Sequence, residues 1–210
     1  MSLVLIALLV VLPLIGFAFI TRLVAAGRTQ SWDEAVITRI QGERRPSIRR
    51  AWQAVTDTGG AGRNLPMVIA FVVFVANDLR RDAVFLLVAA AGAKLLTELF
   101  KAIIGRQRPP LDMQIGRVPK DNAYPSGHAL GSVAVYGFIG VRLWQRGYMI
   151  VGVLCVVWAL LVAYSRSYLG DHHPTDVLGS LTIGTAWLTA VILLLDRSAA
   201  DAESALGWTQ

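Results

Sequence analysis

The alternation of long apolar stretches with short polar ones predicts a chain built from membrane-spanning helices. A spanning helix needs about 20 mostly apolar residues. Five stretches approach that length: Leu3–Ile20, Ala83–Ile104, Ala129–Leu143, Met149–Tyr164 and Val177–Leu195. A sixth, Leu65–Asn77, is short, and it spans only if Gly59–Gly62 and Arg63 extend its end; the alternative is a re-entrant or buried segment. We therefore expect an all-α membrane bundle of about six transmembrane helices, forming one domain over residues 1–210.

The first apolar stretch has two interpretations. It is either a retained span or a secretory signal peptide with small residues, Val24 to Ala26, near a cleavage point. Met1–Leu3 carries no basic residue, and the apolar run is longer than a usual signal core. We expect a retained span.

The polar segment Arg22–Asn64 lies between the first two spans. Ser31–Glu34 is typical of a helix start with an N-cap and an acidic first turn. Apolar residues then recur at helical spacing, and they do so again after Pro46. The pattern predicts two short amphipathic helices on the membrane surface; a solvated charged loop is the alternative.

The amino-acid composition indicates a membrane environment and an anionic partner. The 210 residues are 55% hydrophobic and 16% charged, whereas soluble domains are about 45–50% apolar and about 25% charged. This balance argues against a disordered chain, a soluble globular domain and an ordinary nucleic-acid binder. The formal net charge of +6 favours an anionic lipid or a phosphorylated substrate as partner. Cys155 is the single cysteine, so an internal disulfide is impossible.

Three polar motifs lie at the ends of the predicted spans, and the span layout places them on the same membrane face. They are Lys101–Pro109 at the end of the third span, Tyr124–His128 at the start of the fourth, and Ser165–Asp176 between the fifth and sixth. The first two are joined directly, and the chain crosses out and back before the third. All three motifs should therefore meet at one end of the bundle.

The residue types in these motifs indicate phosphoryl chemistry. Three cations, Lys101, Arg108 and Arg166, match a dense anion, and the Ser126–Gly127 amides at a helix start can bind the same anion. Two histidines can divide the roles of nucleophile and general acid–base, namely His128 and His172. Asp176, four residues after His172, can orient its ring.

Other interpretations of the same residues stay open at this point. Asp176 can simply cap the last helix, and a zinc site from His128, His172, His173 and Asp176 is chemically possible, although three nearby cations oppose a metal charge. Lys94 and Glu98 lie four residues apart within the third span, so we expect a buried ion pair there.

The three blocks resemble the signature of the type 2 phosphatidic acid phosphatase family, which shares its site with vanadium-dependent haloperoxidases. The family pattern is K-x6-R-P, then P-S-G-H, then S-R-x5-H-x3-D. Every fixed position and spacing is matched, by Lys101, Arg108, Pro109, Pro125, Ser126, Gly127, His128, Ser165, Arg166, His172 and Asp176. The match runs from Lys101 to Asp176, and one departure from it is His173, where an aromatic residue is expected.

The resemblance implies a lipid phosphatase that works through a phosphohistidine without metal or cofactor. His172 would be the nucleophile and His128 the acid and base, with Asp176 orienting His172. The phosphoryl oxygens would be held by Lys101, Arg108, Arg166 and the Ser126–Gly127 amides. Substrates of the kind implied are undecaprenyl diphosphate, phosphatidylglycerophosphate and phosphatidic acid, with membrane lipids and no nucleic acid as partners. The alternatives are a haloperoxidase-like vanadate enzyme and a transporter of phosphorylated lipids or anions that does not hydrolyse them.

The distribution of basic residues and the family resemblance predict opposite orientations in the membrane. Six spans place five basic residues on the N-terminal side and fourteen on the motif side, with Lys94 inside a span making up the 20. The positive-inside rule would make the motif side cytoplasmic. The resemblance implies a multi-pass protein of the cell inner membrane whose site faces the periplasm or exterior. We follow the resemblance, because several of the fourteen are candidate site residues.

Overall fold

The computed structural model describes residues 3–42, 45–117 and 120–205, and this part of the chain contains helices and loops but no strand. The helices are α1 (Leu3–Ala25), α2 (Gln30–Gln41), α3 (Pro46–Asp57), α4 (Asn64–Ala76), α5 (Arg80–Ile104), α6 (Gly127–Ser132), α7 (Phe138–Gln145), α8 (Met149–Tyr168) and α9 (Pro174–Ala205). A 3₁₀ turn, Ala61–Arg63, precedes α4, and a π-helical segment, Val133–Gly137, joins α6 to α7. The predicted all-α class is confirmed.

The number of membrane spans is only partly that predicted. Four helical segments are long and apolar enough to cross a bilayer, at 8–25, 80–104, 149–168 and 174–198. A fifth is obtained if Pro46–Asp57 and Ala61–Ala76, which are bent by 53° at a short break, count as one span. The stretch predicted at Ala129–Leu143 is helical from Gly127 to Gln145 but contains the π-helical segment. The count of six is therefore not confirmed.

Two helices do form between the first two predicted spans. They are α2 and α3, and α3 begins at Pro46, whose fixed φ suits a first helical position. The predicted start of α2 is two residues late, because the N-cap is Thr29 rather than Ser31 and the helix begins at Gln30. The Thr29 side chain makes no capping bond. The acidic residue of that first turn, Asp33, is fully buried and bonds elsewhere.

The exposed surface of the bundle is apolar in the way a bilayer requires. Large aliphatic side chains stand exposed along several helices, including Ile15, Val72, Leu95 and Ile150. A continuous apolar surface of this kind is unfavourable in water and suits lipid. The interior packs small and aromatic residues from α1, α5, α7 and α9, with Phe17, Leu86 and Phe138 among them.

Polar groups gather at the two ends of the bundle. At the end away from the three motifs, Asp82 of α5 pairs with Arg142 of α7 and with Arg146 at 3.1 Å. Arg142 also reaches Asp196 of α9 at 3.0 Å. These contacts tie three helices together, so the helix ends that carry the motifs keep a common frame at the opposite end.

The contact between α7 and α8 depends on two glycines. A Cβ added to Gly152 would lie 2.6 Å from the carbonyl oxygen of Gly140, and one added to Gly140 would lie 2.8 Å from that of Gly152. Small residues at such crossings let helix backbones approach closely in membranes. Because α8 delivers Arg166 to the site, this crossing sets the position of a candidate site residue.

We expect Gly152→Leu to destabilise the protein by about 1–3 kcal/mol, because the side chain forces the two backbones apart. Thermal unfolding of the purified protein in detergent measures the effect. The matched control is Val151→Leu, on the same helix with an exposed side chain, which should leave the melting temperature unchanged. Equal melting temperatures for the two variants would contradict a close α7–α8 crossing.

Candidate active site

The three motifs meet at one end of the bundle, as their spacing predicts. Lys101 lies in the last turn of α5, and Arg166 lies in the last turn of α8. His128 is the second residue of α6, and His172 lies in the short loop between α8 and α9. The loop after α5 supplies Arg108, whose Nη1 is 3.2 Å from His172 Nε2.

His172 is almost completely buried, and its two ring nitrogens face different partners. Nε2 faces Arg108, and Nδ1 lies 3.6 Å from Asp176 Oδ2, which is an ion-pair distance longer than a hydrogen bond. Because a guanidinium only donates, Nε2 is the accepting nitrogen and Nδ1 carries the proton. Burial lowers the pKa of His172 to about 3, with Arg108 acting in the same direction and Asp176 against it. The ring is therefore neutral near pH 7, with a lone pair on Nε2.

The turn that presents His172 is held from both sides. Gly170 has φ +73°, and a Cβ there would lie 2.0 Å from the carbonyl oxygen of Met113, so this position requires glycine. The backbone N–H of His172 donates to the Arg166 carbonyl at 3.2 Å, and that of Ile115 donates to Leu169 at 2.9 Å. The loop after α5 and the loop before α9 thus pack as one unit.

Arg166 is buried, and two of its three guanidinium nitrogens have hydrogen-bond partners while the third has none among the described residues. Its Nη2 pairs with Asp171 at 2.8 Å, and its Nη1 donates to Thr56 Oγ1 of α3 at 2.6 Å. The Nε donor has no partner among the described residues. Burial raises the pKa of the Asp171 carboxyl, while Arg166 and Arg108 oppose that shift. An incoming anion would meet a guanidinium that is already oriented and has a donor to spare.

Lys101 and Arg108 share a carboxylate from the chain itself. The Lys101 ammonium forms an ion pair with Asp121, and Arg108 Nη2 reaches the other oxygen of the same carboxylate at 2.7 Å. Arg108 Nε also donates to the Asp121 backbone carbonyl at 2.8 Å. Partial burial opposes ionisation, but the bonds from Lys101 and Arg108 prevail and hold the pKa of Asp121 well below its usual range.

The second predicted histidine lies at the start of α6. Ser126 caps this helix, since its Oγ accepts from the Ala129 backbone N–H at 3.4 Å. A cavity of about 230 Å³ is lined by Lys101, Asp121, Gly127 and His128. The helix start therefore brings the Gly127 backbone and the His128 ring to the same cavity as a cation.

Asp176 does two things at once. Its Oδ2 accepts from the backbone N–H of His173 at 2.9 Å, which caps α9, and it also faces His172 Nδ1. The carboxylate therefore makes the capping contact, and its role in orienting His172 stays a prediction. Its other oxygen, Oδ1, pairs with Arg106 at 2.6 Å.

Arg106 is a site residue that the motif pattern does not contain. It lies between Lys101 and Arg108 in the sequence, and its guanidinium bridges Asp176 and Asp33, each at 2.6 Å. Asp33 of α2 further accepts from the backbone N–H of Thr175 at 2.9 Å. Thr29 and Thr175 complete the cluster with hydroxyl contacts to Arg106 at 3.1 and 2.7 Å. The surface helix α2 is thereby connected to the aspartate behind His172.

His173 is fully buried and contacts Asp176 and α2. Its Nδ1 lies 3.4 Å from Asp176 Oδ2, and its Nε2 lies 3.4 Å from Gln30 Nε2 of α2. The Nδ1 atoms of both neighbouring histidines approach Asp176 Oδ2, whereas their Nε2 atoms have different neighbours. The histidine selected by spacing is the one whose Nε2 lies beside Arg108. Among the described residues, no three of the His, Cys, Asp and Glu side chains are placed to hold a metal ion together.

The predicted burial of Lys94 and Glu98 is wrong. The two side chains do pair, at 2.6 Å, but they are 70% and 55% exposed. The helical period correctly places them on one face of α5, and that face lines the mouth of the cavity rather than the interior. The Lys94–Glu98 ion pair therefore lies at the mouth of the cavity.

Comparisons with known proteins agree with this geometry. A family model described as the PAP2 superfamily matches residues 82–199. Phosphatidylglycerophosphatase B of Bacillus subtilis is 30% identical over 188 residues, covering 82% of this chain and 89% of the relative. Undecaprenyl-diphosphatase of Sulfolobus acidocaldarius is 29% identical over 139 residues, covering 64% of each chain. The crystal structure of a transmembrane PAP2-type phosphatidylglycerolphosphate phosphatase from Bacillus subtilis superposes with a TM-score of 0.81 at 26% identity, covering 89% of this chain and 96% of that one.

We expect Arg106→Leu to destabilise the protein by about 3–5 kcal/mol, because it leaves two buried carboxylates, Asp33 and Asp176, without their cation. Thermal unfolding in detergent measures the loss. The control is Arg117→Leu, which removes an 83% exposed cation paired with Asp57 at 3.8 Å and should cost less than about 1 kcal/mol. A melting temperature for Arg106→Leu as high as that of the control would contradict the bridging role.

Proposed function

The chain belongs to the PAP2 superfamily and is a membrane phosphatase, and from that premise we propose that it hydrolyses the phosphate or diphosphate headgroup of a lipid through a phosphohistidine at His172. The observation that carries the proposal is the placement of the buried His172 between two partners, with Nε2 3.2 Å from Arg108 Nη1 and Nδ1 facing Asp176. Two relatives are named as phosphatases of such lipids, phosphatidylglycerophosphatase B and undecaprenyl-diphosphatase. The site lies at the end of an apolar bundle, where a headgroup can enter while its tails remain in lipid.

In the first step of the proposed reaction, His172 Nε2 attacks phosphorus as the bond to the leaving oxygen breaks. The proton on Nδ1 stays facing Asp176, which stabilises the charge that the ring acquires. Lys101, Arg108, Arg166 and the amides at the start of α6 hold the phosphoryl oxygens. Burial lowers the pKa of His128 to about 2, with Arg166 acting in the same direction. In the proposed step the phosphoryl anion bound beside the ring opposes this shift, and the protonated His128 gives its proton to the leaving oxygen.

In the second step, His128 takes a proton from water as that water attacks phosphorus. The bond between nitrogen and phosphorus breaks, inorganic phosphate leaves, and His172 returns to its neutral form. No metal or other cofactor takes part in either step. Arg106 and Asp33 act as positioning residues in this scheme, since they contact Asp176 and not the reacting atoms.

The proposed mechanism predicts that His172→Ala loses phosphate release by roughly 10³-fold or more. The measurement is a panel of undecaprenyl diphosphate, phosphatidylglycerophosphate and phosphatidic acid, with and without a chelator, using purified protein in detergent. Wild-type protein quenched in base should carry an acid-labile, base-stable phosphoryl group, and His172→Ala should not.

The matched control for this experiment is His173→Gln, which changes the neighbouring histidine that faces α2, and it should retain most of the activity. Normal turnover by His172→Ala would overturn the mechanism. Binding of these lipids without turnover would favour the transporter interpretation, and loss of activity with the chelator would favour a metal site.

We further propose that the site faces the outside of the cell inner membrane. The basis for this proposal is the family resemblance, and the charge count opposes it less strongly once Lys101, Arg106, Arg108 and Arg166, which are engaged within the site, are set aside. Ten of the fourteen basic residues then remain on the motif side, against five on the other side. Basic residues held in such a site carry little information about topology. The surplus on the motif side is correspondingly smaller.

Labelling of single cysteines in whole cells tests this orientation. In a Cys155→Ala background, Lys120→Cys, an exposed position beside the site, should react with a membrane-impermeant maleimide. Asn77→Cys, an exposed position between α4 and α5 at the other end of the bundle, should react only after the cells are opened. The reverse pattern would place the site in the cytoplasm.

A further inference from the structure

The cavity beside His128 extends beyond the groups that the proposed reaction uses. It is lined on one side by Lys101 and His128 and continues to Gly59, Gly60 and Arg63, at the break between α3 and α4. None of these last three belongs to the three sequence motifs. The cavity therefore has a second polar end that the hydrolysis of a single phosphate leaves without a role.

Arg63 provides a cation at that second end. Its guanidinium lies over Gly131, one turn after His128, so closely that a Cβ on Gly131 would be 2.1 Å from Nη1. Nη1 donates to the Gly59 carbonyl at 2.7 Å, and Arg63 forms no ion pair with any of the residues that the structure describes. A guanidinium has five N–H donors, of which the structure shows one bonded, to Gly59, and Arg63 is among the residues that line the cavity.

Its surroundings distinguish Arg63 from the other cations of the cavity. Lys101 is already paired with Asp121, and Lys94 at the mouth is paired with Glu98. A half-buried guanidinium without a carboxylate is the cation best placed to bind an additional anion, and its planar fork matches the oxygens of a phosphoryl group.

The glycine turn that carries Arg63 also covers the reacting histidine. A Cβ on Gly60 would lie 2.8 Å from His128 Nε2, and Arg63 hydrogen-bonds the neighbouring residue, Gly59. In the proposed reaction His128 gives its proton to the leaving oxygen, so the leaving group lies on the His128 side of the phosphorus atom. Arg63 lies on that side as well.

We propose that Arg63 binds the second phosphoryl group of a lipid diphosphate, the one that remains on the lipid after hydrolysis. This inference rests on the proposed function and narrows its substrate class to diphosphates. The bond that breaks joins the terminal phosphorus to the bridging oxygen, the bridging oxygen takes the proton of His128, and the leaving group is a lipid monophosphate whose remaining phosphoryl charge is paired with Arg63. A lipid monophosphate substrate has an uncharged alcohol in that position and gains nothing from Arg63.

The test compares two substrates with the same tail, farnesyl diphosphate and farnesyl monophosphate. For Arg63→Leu, kcat/KM on the diphosphate should fall by roughly 10- to 100-fold, the effect expected for loss of charged hydrogen bonds. On the monophosphate the change should stay within about threefold, a small part of that effect. Arg117→Leu, which removes an exposed cation outside the cavity, should leave both substrates unchanged.

A second variant keeps the arginine but displaces it. In Gly131→Ala the three atoms nearest to the added Cβ all belong to the Arg63 guanidinium, the end of a flexible side chain, and alanine is a better helix former than glycine, so the fold should be retained. The same selective loss on the diphosphate is expected.

Equal losses of kcat/KM on both substrates would overturn the inference, because they would place Arg63 in the phosphoryl site that both substrates use. The inference would also be overturned if both variants kept the wild-type ratio of kcat/KM on the diphosphate to kcat/KM on the monophosphate. Wild-type protein that releases phosphate from neither substrate would overturn the proposed function itself, whereas activity on both without the selective effect removes only the role of Arg63.

Discussion

Arg106 lies between two buried carboxylates, and the rest of the site depends on that bridge. One carboxylate, Asp176, belongs to α9 and stands behind His172; the other, Asp33, belongs to the surface helix α2. Buried charges are tolerated only when they are paired and hydrogen-bonded. The same contact that satisfies Arg106 therefore docks α2, closes the N-terminal end of α9 and sets the position of the aspartate that faces His172.

The apolar bundle makes this polar cluster necessary. Helices that expose aliphatic side chains to lipid have few polar neighbours along their length, so their polar groups collect where helices end. The Asp82 cluster at the other end of the bundle fixes α5, α7 and α9. The site residues themselves come from the ends of α5, α6 and α8 and from the loops beside them. Rigid helices anchored at one end thus hold short, well-bonded loops at the other.

The parts of the site that sequence reasoning predicted are those defined by local spacing. His172 is the fourth residue before Asp176, which brings their side chains within reach of each other. His173 also reaches Asp176, but its Nε2 faces α2 and not Arg108. The meeting of the three motifs follows from counting spans, and it does not depend on whether the short stretch Leu65–Asn77 crosses the membrane. The PAP2 superfamily assignment agrees with these local patterns.

The parts that sequence reasoning missed depend on contacts between distant segments. Asp33 has the pattern of a first-turn acid, and only the docking of α2 brings its carboxylate to Arg106 and Thr175. Arg106 stands inside the first motif, where its spacing resembles that of any loop cation. Helical periodicity placed Lys94 and Glu98 on one face of α5, but it contains no information about whether that face points to the interior or to an opening.

The Asp121 carboxylate on Lys101 and Arg108 has a consequence for how the site meets any anion. Its two oxygens hold the same donors that a phosphoryl oxygen needs, so the site is in effect loaded with its own counter-ion. Binding to these two cations is then an exchange of one anion for another, and the electrostatic gain is a difference between the two rather than the full attraction of bare cations. The same exchange favours product release. The Asp121 carboxylate stays tethered beside the site at a high local concentration, so it competes with bound phosphate for the donors of Lys101 and Arg108.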